Sequence, residues 1–170
     1  MLYAKYIRLV EEHAEKLTSQ WISEVKTNSA TLQYRQFPDK ELHKRVFDVY
    51  ERLGAWLLGD EKETAKIGEH YIRLGRARAK EGINLSEVTY ALILTRVILW
   101  KYILSQGMID TFFDIQQAFE FYQKVVLFFD KAVYLVATGY ESSGQLTEEQ
   151  FKNHKLVNEA VKSVTRWFIK

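Results

Sequence analysis

Residues 82–106, GINLSEVTYALILTRVILWKYILSQ, have the pattern of one helix that is apolar around nearly its whole circumference. Its start carries a capping signal, because Asn84 can cap the helix and Glu87, three residues later, can reach back to it. A helix that is apolar on all sides lies inside a protein or a membrane. The uninterrupted apolar run is shorter than the roughly 20 residues that span a bilayer. We therefore expect this segment to be the central helix of a soluble, all-α domain.

Composition is typical of one globular domain. The chain has 170 residues, of which 47% are hydrophobic, and its net charge of +2 argues against a nucleic-acid or anionic-membrane partner. It has no cysteine, which excludes disulfides, thiolate catalysis and cysteine metal sites. Residues 1–20 lack the pattern of a signal peptide, because Glu11, Glu12 and Glu15 interrupt any apolar core. We expect a cytoplasmic protein that does not associate with a membrane.

The rest of the chain divides into helices with short links. Apolar periodicity and capping signals predict helices over residues 2–30, 40–58, 60–80, 84–106, 111–139 and 147–170. The first is expected to break at Thr18 or Ser19, and residues 28–38 are expected to form a loop. The pattern predicts an all-α fold of about six or seven helices, globin-like or an up-down bundle, with a long C-terminal helix. Residues 1–145 would form one helical domain and residues 146–170 a C-terminal dimerisation or connector helix.

The longest predicted helix carries an apolar stripe at spacings of three and four residues, which we expect to face the core. The stripe consists of Phe112, Ile115, Phe119, Tyr122, Val126, Phe129, Val133 and Val136.

Arg96 is unusual because it lies in the middle of the apolar central helix. A buried arginine needs a partner or a route to solvent. Glu120 and Asp130 on the next helix are the candidate partners, and we favour a structural ion pair over a ligand-binding role.

Aromatic residues near Arg96 could line a ligand pocket. The candidate pocket residues are Arg96, Trp100, Tyr71, Phe119 and Tyr122. Aromatic residues at helical spacing are more often ordinary core, so the pattern alone does not distinguish a pocket from packing.

Neither catalysis nor metal binding is supported by residue spacing. The four histidines form no helical metal-binding pair, and no nucleophile–base or acid–base set can be assembled. Among mid-chain positions only His70 could act as a haem ligand. We expect no enzyme activity and no cofactor, with a haem-binding globin-type protein as an alternative.

The last predicted helix has an apolar stripe close to the coiled-coil period. Its stripe includes Val157, Val161, Val164 and Phe168. Such a face normally needs a partner, so we expect a homodimer through this helix. The helix runs to Lys170 without a polar tail, which suggests that the natural protein continues into a signalling output domain.

One segment resembles a known family. The run HYIRLGRARA at residues 70–79, Gly82, Leu85-x-Glu87, Ala91-Leu92, Arg96 and Leu99-Trp100 resembles the N-terminal domain of RsbRD-type RsbT co-antagonist (stressosome-like) proteins. The likeness is strongest over residues 66–104 and extends over about 10–140. It implies a cytoplasmic, dimeric, non-haem globin-like sensor without catalytic residues, fused to a signalling output. No phosphorylatable output domain follows in this chain.

The sequence therefore favours a signal-input and dimerisation module that responds to a small ligand or a protein partner. The alternatives are a cofactor-binding globin-type protein with His70 as ligand, or an interaction adaptor without a small ligand.

Overall fold

The structure is a computed structural model that describes residues 3–145 together with 147, 149, 150, 159 and 162. It is 86% helical, and its described residues contain no strand. The seven α-helices of the described residues are α1 Ala4–Glu12, α2 Ala14–Thr27, α3 Asp39–Glu51, α4 Leu53–Leu58, α5 Glu61–Lys80, α6 Leu85–Ser105 and α7 Phe112–Ser143. A 3₁₀ helix, Ser29–Gln36, joins α2 to α3. The all-α class and the long helix near the C-terminal end are confirmed.

Two helix boundaries differ from the prediction. The first helix breaks at His13 and not at Thr18 or Ser19, because Thr18 lies fully buried within α2. The break lets α1 pack on α3 and α4 while α2 packs on α3, the 3₁₀ helix and α6. The predicted helix 40–58 likewise divides at Arg52 into α3 and α4.

A second difference concerns residues 28–38, which were predicted as a loop. They contain the 3₁₀ helix, whose first turn is capped by the side chain of Asn28, since Asn28 Oδ1 accepts a hydrogen bond from the backbone N–H of Ala30.

The central position of α6 is confirmed by its contacts. No residue from Glu87 to Trp100 is exposed, and α6 packs on α2, the 3₁₀ helix and α7. Two buried donors bind its backbone: Trp21 Nε1 donates to the carbonyl of Ala91 over 3.0 Å, and the Tyr50 hydroxyl donates to the carbonyl of Thr95 over 3.0 Å. Among the described helices, α6 alone has the length and composition to cross a bilayer, a test that core helices also pass.

The start of α6 is held by a distant residue and not by the predicted capping box. Asn84 makes no side-chain cap, and the Glu87 carboxylate instead accepts from the backbone N–H of Gln33 over 2.8 Å. The Gln33 side chain accepts from the N–H of Asn84 and donates to the carbonyl of Gly82. Gln33 thus satisfies the N–H of Asn84, which Glu87 would have satisfied in a local capping box.

Helices α5 and α7 form the closest helix pair of the fold. Gly75 and Gly139 face each other at their crossing, where an added Cβ on Gly139 would meet the Cα of Gly75 at 3.0 Å and clash with the carbonyl oxygen of Ile72. One turn beyond, the buried Arg76 guanidinium donates to the carbonyl of Ser142 over 2.9 Å. Two glycines and one arginine therefore fix the C-terminal end of α7 against α5.

The start of α7 has a complete capping box. Thr111 Oγ1 accepts from the N–H of Asp114, and the Asp114 carboxylate accepts from the N–H of Thr111 over 3.1 Å. Lys5 of α1 forms an ion pair with the same carboxylate. These hydrogen bonds, the one from Lys5 first, lower the pKa of Asp114 from 3.8 to about 2.

Acid should weaken this link in a predictable range. Because the folded-state pKa of Asp114 lies below its unfolded value, the stabilisation is complete above pH 3.8 and is lost as the pH falls toward about 2. We expect Asp114→Asn to lose less stability than wild type over this range in urea unfolding. Asp110→Asn, at an exposed position just before the cap, is the control and should follow wild type. Parallel curves for wild type and Asp114→Asn would contradict the assignment.

The predicted inward stripe of α7 is wrong for its first half. Phe112, Ile115 and Phe119 are 81%, 55% and 60% exposed, whereas Phe121 is fully buried. The buried face instead contains Ala118, Phe121, Val125, Phe128, Phe129, Ala132, Leu135, Val136 and Gly139. Both faces of this helix are apolar, so periodicity could not identify the one that meets the core.

Candidate functional site

Four of the five predicted pocket residues lie together on the outer side of α6 and α7. The rings of Trp100 and Tyr122 are in contact, with centroids 4.8 Å apart. Phe119 and Tyr122 line an open surface groove of about 600 Å³ that Asp130 also borders. We call the exposed Phe112, Ile115 and Phe119, together with the partly buried Tyr122, the α7 stripe.

The predicted ion pair of Arg96 is confirmed, with Asp130 as its partner. Arg96 Nη1 lies 3.3 Å from Asp130 Oδ1. The pair is not internal, because the Asp130 side chain is 64% exposed and that of Arg96 is 24% exposed. Exposed ion pairs contribute about 0–1 kcal/mol, so Arg96 adds little to stability. The long side chain reaches solvent from a helix that is otherwise covered.

Tyr71, the fifth predicted residue, lies elsewhere. It is 1% exposed and lines a small space between α2, the 3₁₀ helix, α3, α5, α6 and α7, which we call the central cavity. The volume of the central cavity is about 40 Å³. Its lining consists of Trp21, Tyr34, Arg45, Val46, Val49, His70, Tyr71, Leu74, Arg78, Val88, Ala91, Leu92, Thr95 and Phe129. The structure therefore separates the predicted pocket into a surface groove and a small, partly open cavity between the helices.

Two guanidinium groups border the central cavity. The Arg45 side chain is 7% exposed; its Nη2 pairs with Glu41 and Glu81, and its plane stacks on the ring of Phe37 with 4.0 Å from Cζ to the ring centroid. Arg78 Nη1 pairs with Glu81 over 2.9 Å. Burial, followed by the charge of Arg45, lowers the pKa of Arg78. The carboxylates that balance these cations all lie outside the cavity lining.

Two buried polar atoms of the lining make no hydrogen bond in the described structure. They are Nη1 of Arg45 and the hydroxyl of Tyr71. Burial raises the pKa of the Tyr71 hydroxyl, so the group is neutral and can both donate and accept. Burial also raises the pKa of Tyr34 to about 12. Unsatisfied buried groups are few in folded proteins, and each calls for an explanation.

His70, the alternative haem ligand, lies at the edge of the same cavity. Its ring packs edge-on against Trp56 and Tyr71, with centroid distances of 5.4 and 5.2 Å. Although His70 is exposed in part, partial burial of its ring lowers the pKa of His70. A neutral imidazole can bind iron, but a cavity of about 40 Å³ is far below the roughly 300–1,000 Å³ of pockets for drug-sized ligands, so haem would have to separate the helices.

The predicted connector and dimer residues Val157, Val161, Val164 and Phe168 lie outside the described residues. The described part of that segment shows a capping arrangement at its start. Thr147 Oγ1 accepts from the N–H of Gln150, and Gln150 Oε1 accepts from the N–H of Thr147 over 3.0 Å. This agrees with the predicted start of the last helix at Thr147.

Sequence reasoning missed three arginines: Arg45, Arg76 and Arg78. Arg76 belongs to the basic series of α5, and such a series usually marks a solvated face. Its position between Ile72 and Ala79 on the α7-facing side was the available signal. Arg45 precedes Val46 in an inward stripe, yet its burial depends on Glu81 and Phe37, which are far away in sequence.

The described residues contain no group of three histidine, aspartate or glutamate side chains that could hold a metal ion. A family model for the RsbT co-antagonist protein rsbRD N-terminal domain matches residues 15–148, which include all residues of the central cavity. The chain has no significant match among curated proteins or solved structures. The matched family consists of signalling co-antagonist domains and is not a known enzyme family. The chain therefore belongs to the RsbT co-antagonist protein rsbRD N-terminal domain family, as the motif at residues 70–100 indicated.

Proposed function

We propose that this chain is a dimeric, cytoplasmic input domain of a bacterial signalling system, with a non-haem globin-like architecture. The family match over residues 15–148 carries this proposal, because it assigns most of the chain to a signalling domain. The domain would receive a small ligand or a protein partner and pass the change to a signalling output through residues 146–170. Residues 1–145 would be the receiving part.

The packing of α5 supports a route for the signal. One side of α5 brings Tyr71 and Arg78 to the central cavity, while Gly75 and Arg76 meet α7. Ser142, the acceptor of Arg76, lies at the end of α7, immediately before the segment that would reach the output. A shift of α5 would therefore act directly on the last turn of α7, and a two-state shift of this kind is how a packed core transmits binding.

The α7 stripe supports a second copy of this chain as the partner for the outer face. Phe112, Ile115, Phe119 and Tyr122 recur at spacings of three and four residues, which is the pattern of paired helices. Gln116 and Gln123 flank the stripe with uncharged polar side chains, so two copies related by a twofold axis would meet without like-charge repulsion. This dimer surface differs from the predicted one at Val157, Val161, Val164 and Phe168, and the two can act together.

A charge placed on the α7 stripe should prevent dimerisation. We expect wild type to sediment as a dimer and Ile115→Glu with Phe119→Glu as a monomer, because each carboxylate would be buried without a partner. Sedimentation equilibrium measures this directly. Tyr134→Glu is the matched control, since Tyr134 is exposed on the same helix but outside the stripe. It should remain dimeric.

The variant Val161→Glu with Val164→Glu tests the connector helix separately. If only this variant is monomeric, the dimer forms through residues 146–170 and not through the α7 stripe. A monomeric wild-type chain would refute the dimeric input domain.

A further inference from the structure

We propose that the central cavity binds a small carboxylate, of the size of acetate or propionate, which accepts hydrogen bonds from Arg45 and Tyr71. The assignment names a ligand class for the proposed input domain and rests on that function. Four properties of the cavity support it: the volume, the charged side chains of the wall, the two donors without a hydrogen bond, and the apolar side chains that form the other walls.

The size of the cavity limits the ligand to a few atoms. A cavity needs roughly 10–15 Å³ to hold one water molecule, so a volume of about 40 Å³ accommodates only a few water-sized groups. Acetate has nearly this size. Propionate requires a small movement of Leu74 or Leu92, both of which are only partly buried and line the space.

The charge of the lining favours an anion. Arg45 and Arg78 contribute their positive charges to the wall, and none of the lining residues is an aspartate or a glutamate. Glu41 and Glu81 bind the outer edges of the two guanidinium groups. Nη1 of Arg45 is buried and has no hydrogen-bond partner in the described structure, so a small movement of its neighbours would let a ligand reach it. Planar guanidinium groups bind carboxylates with short, charge-assisted hydrogen bonds.

The polar groups of the lining divide into satisfied and unsatisfied ones. Trp21 Nε1 donates to the carbonyl of Ala91 over 3.0 Å, and Thr95 Oγ1 donates to the same carbonyl over 2.9 Å. The Tyr71 hydroxyl makes no hydrogen bond within the described residues. A carboxylate has two oxygens and about four acceptor positions, so one ligand can serve both Tyr71 and Arg45.

The apolar part of the cavity wall determines which anions fit. Side chains of Val46, Val49, Leu74, Leu92 and Phe129 form most of the other walls. A methyl or ethyl group fits such walls, whereas phosphate or sulfate would present oxygens to them without donors. The cavity therefore matches a singly charged acid with a short alkyl group.

Nuclear magnetic resonance can follow this site through the indole N–H of Trp21, which lies in the cavity wall. The full chain, labelled with ¹⁵N, is titrated with sodium acetate and with sodium propionate. Sodium chloride, sodium phosphate and acetamide are titrated in parallel. We expect a saturable shift of the Trp21 indole signal with acetate or propionate only.

Two variants test the assigned donors. Tyr71→Phe removes the hydroxyl and Arg45→Gln removes the guanidinium, and each should weaken carboxylate binding by about tenfold or more. Tyr134→Phe and Arg52→Gln are matched controls at exposed positions outside the lining, and both should bind as wild type does. Tyr71→Phe deletes a group without a hydrogen bond, so it should fold even if Arg45→Gln does not.

The remaining outcomes overturn the proposal. Absence of a saturable shift with both acids would show that the cavity holds water alone. Equal binding of acetamide or phosphate would refute the carboxylate class, and unchanged binding by Tyr71→Phe would place the site elsewhere. Sedimentation of the same samples separates this result from the proposed function. A dimer that binds neither acid refutes only the ligand, and a monomer that binds them refutes only the dimeric input domain.

Discussion

Gly139→Ala is expected to destabilise the protein by about 2 kcal/mol or more. The added methyl group would clash with the carbonyl oxygen of Ile72, a backbone atom that can move away only if α5 and α7 separate. Overpacking typically costs about 1–3 kcal/mol, occasionally more, and the better helix propensity of alanine offsets at most about 1 kcal/mol of this. Thermal unfolding should show a melting temperature lower by about 4–8 °C.

Gly144→Ala is the matched control. It lies just beyond the end of the same helix, its φ is negative, and an added Cβ meets no atom within 4 Å. Its stability should stay within about 0.5 kcal/mol of wild type. Gly75→Ala with Gly139→Ala should cost less than the sum of the single changes, because either change alone separates the helices. A fully stable Gly139→Ala would refute the close crossing of α5 and α7.

Phe121→Ala is expected to cost about 3–5 kcal/mol of the unfolding free energy. The Phe121 ring is fully buried and contacts the rings of Tyr3 and Tyr6, with centroid distances of 6.1 and 5.6 Å. Its removal leaves a hole where α1 packs on α7. Domains of this kind are stable by about 5–15 kcal/mol, so the loss is a large fraction of the total. Urea unfolding measures it.

Phe119→Ala provides the comparison two residues away on the same helix. Because Phe119 is mostly exposed in the single chain, its truncation should leave the stability of the monomer nearly unchanged. In a dimer through the α7 stripe, the unfolding midpoint of wild type rises with protein concentration, and Phe119→Ala should reduce this dependence. Equal losses for Phe119→Ala and Phe121→Ala at low concentration would contradict the assigned faces of α7.

The sequence was sufficient for the helical class and for most helix ends, because caps and glycines act locally. Gly82 and Gly107 show this well: both have a positive φ and both lie at the predicted ends. The start of α6 could not be predicted in the same way. Its backbone N–H at Asn84 is bound by Gln33, which is distant in sequence. No pattern around Asn84 or Glu87 indicates that contact.

The faces of α7 were the largest error, and the cause is physical. When a helix is apolar on two sides, its periodicity does not distinguish the side that meets the core from the side that meets a partner. Phe119 and Phe121 have the same chemistry, and only packing separates them. The Arg96–Asp130 pair was predictable because an arginine in an apolar helix requires an acid within reach.

The central cavity could be predicted only in part. Tyr71 was identified as a pocket residue, yet its neighbours Arg45 and Arg78 come from two different helices. Arg45 appears in the sequence as an ordinary surface residue, and no pattern around Arg78 indicates that the two charges meet. Only the fold brings the two guanidinium groups to one cavity, whose lining contains neither of their carboxylate partners.

The glycine contact between α5 and α7 has a mechanical consequence. No side chain separates the two backbones at Gly139. Helix α7 can therefore tilt about this contact, but it cannot move closer to α5. At a rise of about 1.5 Å per residue, the first residue of α7, Phe112, lies about 40 Å from Gly139. A tilt of about 3° would move that end by about 2 Å. Such a tilt would thus pull on the start of α7, which Lys5 and the Tyr6 hydroxyl tether to α1 through Asp114.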